Sequence, residues 1–296
     1  MKDQRYRILL CGGQVRAMAA QTTQLVEDAR RAHNLSAVAT AALGRALSMT
    51  SLLSLELKNP QDLVSVRIQG GGPLGGIVAV GMADGSVKGY VEHPEVELPP
   101  RADGKLDVGG AVGSDGMLTV IRDLGMRDPY TGQVRLQSGE IGDDFAWYYT
   151  VSQQQPSLVS VGVMVQPDYS VAAAAALVIQ PMPGCPEEVL DQLEGASGQL
   201  ANLSAQLTAR HGDLEGLLCE LLGPFEPEII PAGEPAFRCN CSRERMTRGL
   251  IALGAQELTD LIEQDGKALL QCHFCYAQYA FDRDELLAIL QQAKNV

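Results

Sequence analysis

The residues best placed to do chemistry are Cys239-Asn240-Cys241 and, after a gap of 30 residues, Cys272-His273-Phe274-Cys275. Two short thiol pairs joined by an insert long enough to fold can enclose a soft tetrahedral cation. Each pair supplies two sulfurs, and the insert brings the pairs together. Zinc is the expected occupant. The first pair has one intervening residue where ordinary zinc ribbons and fingers carry two to four, which suggests sulfurs that do more than hold a metal. Arg238, Arg243 and Arg245 surround it and are expected to offset the excess negative charge of four thiolates, a setting that invites electrophilic oxidants. Oxidation would end metal binding, because a disulfide sulfur is no longer an anionic ligand. The alternative is a permanently closed structural site.

Other motifs carry less. Cys272-His273-Phe274-Cys275 precedes the aromatic stretch Tyr276 to Phe281 instead of opening a helix, which argues against a thioredoxin-like role, and Tyr276 stands where haem attachment would need histidine. Gly70-Gly71-Gly72-Pro73-Leu74-Gly75 matches a dinucleotide-binding pattern after a strand, but a strand follows it, so no helix N-terminus would meet a pyrophosphate. His33, His93 and His211 have no companions at ligand or triad spacing and are read as surface residues. Asp143-Asp144 and Glu187-Glu188 are read as solvated turns or caps, and Cys11, Cys185 and Cys219 as small apolar residues. Nothing else points to catalysis, so no enzyme is expected.

The elements that position the cysteines belong to a chain of 296 residues, 46% hydrophobic, with a net charge of −13. That length and apolar content allow two domains with buried cores. The acidic balance, with no basic stretch interleaved with aromatics, argues against nucleic-acid binding. No apolar run reaches the ~20 residues of a membrane span. The basic N-terminus imitates a signal peptide, but its apolar patch, Ile8 to Cys11, falls short of the ~7–15 residues an h-region needs. A cytoplasmic location is therefore expected, and seven cysteines fit a reducing compartment.

Charge divides the chain into residues 1–179, 180–234 and 235–296, the middle part carrying one basic residue against ten acidic ones. Pro181 to Pro186 and the breakers Pro224 to Pro235 mark its ends. The first part is predicted as an α+β core. Helices are placed at Thr22 to His33 and Ser36 to Leu57, with strands at Leu63 to Ile68, Gly76 to Val80 and Ser86 to Val91. Two more strands surround the turn Pro167 to Ser170. Asp84-Gly85 is a hairpin signal, and tight turns between strands imply an antiparallel sheet. The middle part repeats leucine at helical spacing, a face that must rest on something. Gly195, Gly198, Gly212 and Gly216 would weaken these helices by ~1 kcal/mol each if they lie inside them. A segment that folds mainly because its neighbours give it a surface is expected. The last part is predicted as small and α+β, with helices at Arg243 to Leu253, Glu257 to Gln264 and Arg283 to Lys294 and a strand at Tyr276 to Phe281. At 62 residues, its core gives little margin without a metal.

The whole chain resembles the redox-regulated heat-shock protein 33 family of holdase chaperones. Besides the cysteines, the resemblance rests on Val15-Arg16-Ala17, Ala41 to Arg45, Gln69 to Pro73, Thr131 to Val134, Ser138 to Asp144 and Gln180 to Gly184. It implies a reduced, zinc-bound, inactive state held by Cys239, Cys241, Cys272 and Cys275. On oxidation, Cys239 pairs with Cys241 and Cys272 with Cys275, zinc is lost and the C-terminal domain unfolds. The linker is then unsupported, and the exposed surface captures unfolding client proteins without ATP. It also implies a monomer when reduced and a homodimer on activation.

Overall fold

The computed structural model describes residues 2–294. The chain divides into two compact units, the first ending at Arg238 and the second beginning at Cys239.

The first unit opens with β1 (Gln4–Leu10) and β2 (Val15–Gln21), then α1 (Thr23–His33) and α2 (Ala37–Ser54). The β3 (Leu63–Gln69), β4 (Ile77–Met82) and β5 (Ser86–Val91) strands form a meander, followed by α3 (Val108–Val112), β6 (Met117–Asp123), β7 (Tyr130–Arg135) and α4 (Gly142–Val151). The hairpin β8 (Leu158–Val165) and β9 (Val171–Pro181) leads to α5 (Glu187–Leu200), α6 (Leu203–Ala209) and α7 (Leu214–Leu222). Two short strands, β10 (Glu228–Pro231) and β11 (Ala236–Phe237), finish the unit.

These strands make two sheets, ordered β10-β1-β2-β9-β8 and β11-β5-β4-β3-β6-β7. All the pairings are antiparallel except β11 with β5. The core holds α2, capped by the Ser36 hydroxyl, which accepts from Ala39 N. This helix is apolar on every side because it is surrounded, its faces meeting both sheets. By length and composition α2 could cross a membrane, but 89% of it is buried inside the fold.

Alternation along the five-stranded sheet explains its two covered faces. Met18, Ala20, Ala174, Ala176 and Val178 join the α2 core, while Ala17, Ala19, Ala173, Ala175, Leu177 and Ile179 face the other way. On that second face lie Leu193 and Leu200 of α5, Leu203 and Leu207 of α6, and Leu214, Leu217, Leu218 and Leu222 of α7. The sheet is thus the surface that the leucine repeat requires. Gly195 and Gly198 lie inside α5, Gly216 in the first turn of α7, and Gly212 outside any helix.

One histidine departs from expectation. His33 is buried at 3% exposure, its ring edge-on to Phe237 at 6.1 Å, because α1 ends against the last strand of the unit. The patch Ile8 to Cys11 belongs to β1 and the turn after it, paired on both sides. The glycine-rich run is a packing turn: Gly72 N donates to Val112 O, and a Cβ on Gly70 would lie 2.2 Å from Gly113 O. The loop therefore needs glycine in order to lie on α3.

The chain from β10 to Arg238 is fastened to both sheets. β10 pairs with β1, Ala232 N donates to Arg5 O, Arg5 N donates to Gly233 O, and Ala236 N and Arg238 N donate to Gly85 O and Val87 O.

In the second unit α8 (Arg243–Leu253) and α9 (Ala255–Gln264) precede the hairpin β12 (Ala268–Gln271) and β13 (Gln278–Phe281), and α10 (Arg283–Ala293) follows. Its core consists of Leu250, Leu258, Ile262, Phe281, Leu286, Ile289 and Leu290.

Candidate metal centre

Local structure brings the four cysteines together. Cys272 to Cys275 occupy the loop between β12 and β13, closed by Cys272 N donating to Ala277 O and Tyr276 N to Cys272 O. Tyr276 takes a left-handed φ of 57° to complete that knuckle. Cys241 immediately precedes Ser242, whose hydroxyl caps α8 by accepting from Arg245 N, so the residue stands just ahead of the positive end of a helix.

The four sulfurs all lie within 4.8 Å of one another. Sγ of Cys239 is 3.7 Å from that of Cys272, and Sγ of Cys241 is 3.4 Å from that of Cys275. A tetrahedral centre with metal–sulfur bonds of about 2.3 Å has sulfurs about 3.8 Å apart, so the cluster has the size of such a centre. Cys272 is buried and the other three are half-buried.

Electrostatics also calls for a cation. Burial opposes charge on Cys241, but hydrogen bonds from Tyr279, Cys275, Cys239 and Cys272 outweigh it and lower its thiol to about 7. Burial pushes Cys239 up, despite the Cys241 N–H. Burial likewise raises Cys275, despite the Ala277 N–H. Like charges this close suppress one another, so the thiols resist being ionised together. Four anionic sulfurs need a multiply charged soft ion among them, and the donor set fits one.

The arginines behave less uniformly than expected. Arg243 turns to Glu285 Oε1 at 2.6 Å and Ala280 O at 2.8 Å, and lies 4.3 Å over the Phe281 ring. It braces β13 against α10. Arg245 reaches Asn240 Oδ1 at 3.0 Å, between the first two cysteines. His273 is exposed in the knuckle, while His93 and His211 are exposed elsewhere. Cys11 and Cys185 pack on the cluster beneath α5 to α7, and Cys219 is exposed. Asp144 is a cap as expected but buried instead of solvated, because it turns inward to accept from the backbone N–H groups of Gln137, Ser138 and Ile141.

The sequence reading missed Tyr279, whose hydroxyl lies 3.1 Å from Cys241 Sγ. That hydrogen bond holds its phenol at about 12. Only the β12–β13 register, which sets Leu270 against Tyr279, brings it there.

Fold and site together define a two-unit α+β chain whose smaller unit is organised around a four-thiol cluster. Residues 3–282 match the family model described as Hsp33 protein. The chain is 44% identical over 292 residues to the 33 kDa chaperonin of Alkaliphilus metalliredigens, covering 99% of this chain and 100% of that one. It is 44% identical over 287 residues to the 33 kDa chaperonin of Bacillus licheniformis, covering 97% and 98%. The crystal structure of the 33 kDa chaperonin from Thermotoga maritima, a heat shock protein 33 homolog, superposes with a TM-score of 0.88 at 33% identity over the full length of both chains. The chain belongs to the Hsp33 family of chaperones. Such a class acts by binding client proteins and is not an enzyme class.

Proposed function

We propose that this chain is a redox-regulated, ATP-independent holdase of the cytoplasm, kept inactive by zinc on Cys239, Cys241, Cys272 and Cys275. The observation that carries the reading is the cluster itself: four sulfurs within 4.8 Å in a unit whose core, among the described residues, is a cluster of seven buried apolar side chains. An apparent zinc-binding free energy of ~10–16 kcal/mol would exceed what so small a core supplies, so the ion decides whether the unit folds.

Bound zinc supplies the positive charge that keeps four sulfurs anionic and side by side. The cysteines do the rest. On oxidation Cys239 couples with Cys241 and Cys272 with Cys275. Each sulfur–sulfur bond delivers two electrons to a peroxide, which takes up two protons and leaves as two waters. The sulfurs then lose their charge, the protein releases the ion and residues 235–296 unfold. The acidic helices of residues 180–234 leave the five-stranded sheet of the 1–179 core. Their leucines and the alanine-rich sheet face then offer apolar surface to unfolding proteins, and a homodimer forms as part of that surface is buried.

The test adds hypochlorite to the zinc-loaded protein and follows zinc release together with the aggregation of citrate synthase. Both zinc release and suppression of aggregation are expected, and release without suppression refutes the switch. The alternative, a constitutive binding module with structural zinc, predicts unchanged client binding when Cys239 and Cys241 become serine in a folded protein.

A further inference from the structure

We propose that Tyr279 is a positioning residue of the metal centre, whose hydroxyl holds Cys241 Sγ in place and restrains its attack on oxidants. The inference rests on the metal-centre reading above and adds a residue to it.

The geometry distinguishes Cys241. Cys239 and Cys275 accept hydrogen bonds from backbone N–H groups two residues ahead, on Cys241 and Ala277, contacts that the tight loops impose on any sequence. Cys241 Sγ has in addition a side-chain partner that is not one of the four cysteines, the Tyr279 hydroxyl at 3.1 Å, 38 residues away. Tyr279 is well fixed for that role. Its ring is half-buried against the Leu250–Leu290 core, its backbone pairs with Leu270, and Arg243 clamps the next two residues through Ala280 O and the Phe281 ring.

A phenol that donates to a metal-bound sulfur draws electron density from it. The sulfur becomes less nucleophilic, and its position on the ion is fixed. Partners of this kind typically change metal affinity 10–100-fold when removed. Tyr279→Phe deletes one oxygen and keeps the packed ring, so it isolates the hydrogen bond.

The experiment compares wild type and Tyr279→Phe, each loaded with zinc and checked for fold by circular dichroism. Chelator competition should show about 10-fold weaker zinc binding by the variant, and a metallochromic dye should show several-fold faster zinc release in dilute peroxide. Loaded with cobalt instead, the variant should shift its sulfur-to-metal charge-transfer band to lower energy, a change that loosened packing alone would not produce. Wild type loaded with cadmium-113 gives a measurement free of any variant: the Tyr279 hydroxyl proton should exchange slowly and be split by the metal through Cys241. Unchanged affinity, release rate and cobalt band, or no splitting in the cadmium protein, overturn the role of Tyr279 while leaving the metal centre standing. Failure of wild type to bind zinc stoichiometrically overturns both.

Discussion

Single side chains do their work here by partner choice. Glu27 is nearly buried and accepts from Arg30 at 2.7 Å, from Arg31 at 2.6 Å and from Val171 N at 3.2 Å. The hydrogen bond from Arg30 is the largest cause holding its carboxyl at about 2, against the 4.5 of an unperturbed glutamate, with burial opposing. The folded value is depressed, so its stabilisation is fully present above 4.5 and is lost as the pH falls toward 2. Glu27→Gln should cost about 1–3 kcal/mol at pH 7 by urea unfolding, and the gap between variant and wild type should shrink steadily between pH 4.5 and pH 2. A constant gap would assign Glu27 a packing role instead. The cysteines were legible because metal ligation is written in short spacings. Tyr279 was not, since its hydrogen bond exists only once two strands have found their register.

Among the elements, α5 is built to be weak. Gly195 and Gly198 sit inside it on its exposed side, and a Cβ at either would meet nothing within 4 Å. Alanine at both should therefore stabilise the helix by up to ~1 kcal/mol each, with no steric cost. The double variant should gain hydrogen-exchange protection over residues 187–200, and it should begin to suppress client aggregation later after oxidant is added. An unchanged onset would separate the helix from the control of client binding. The leucine repeat, the Ser36 cap and the Asp84-Gly85 hairpin could be read from sequence because each is a local pattern. β2 and β9 bury both faces, so β2 shows no alternation, and the part of β9 that was read came from its turn. β11 pairs with a strand some 150 residues earlier, which no local pattern announces. α4 starts after Ile141, a β-branched residue at φ 68°, and its cap is the side chain of Asp144 reaching backwards. The usual start signal is missing there.

For the whole molecule, the two units differ in how they are stabilised. The first has two sheets and a shared core around α2, while the second has one small cluster and four sulfurs. Stripping the zinc-loaded, reduced protein with a strong chelator should abolish protection in residues 239–294 and leave the amides of β2, β9 and α2 protected, as read by hydrogen exchange. Loss of protection throughout would show that the units melt as one. The stretch Glu228 to Arg238 gives this division a sharper meaning. With one half stitched to each sheet, it stands as a firebreak between the cysteines and α7. Disorder that starts beyond Cys239 must unpick these bonds before it reaches α7 along the backbone, so the pace at which the helices let go of the sheet is set by this seam as well as by their own glycines.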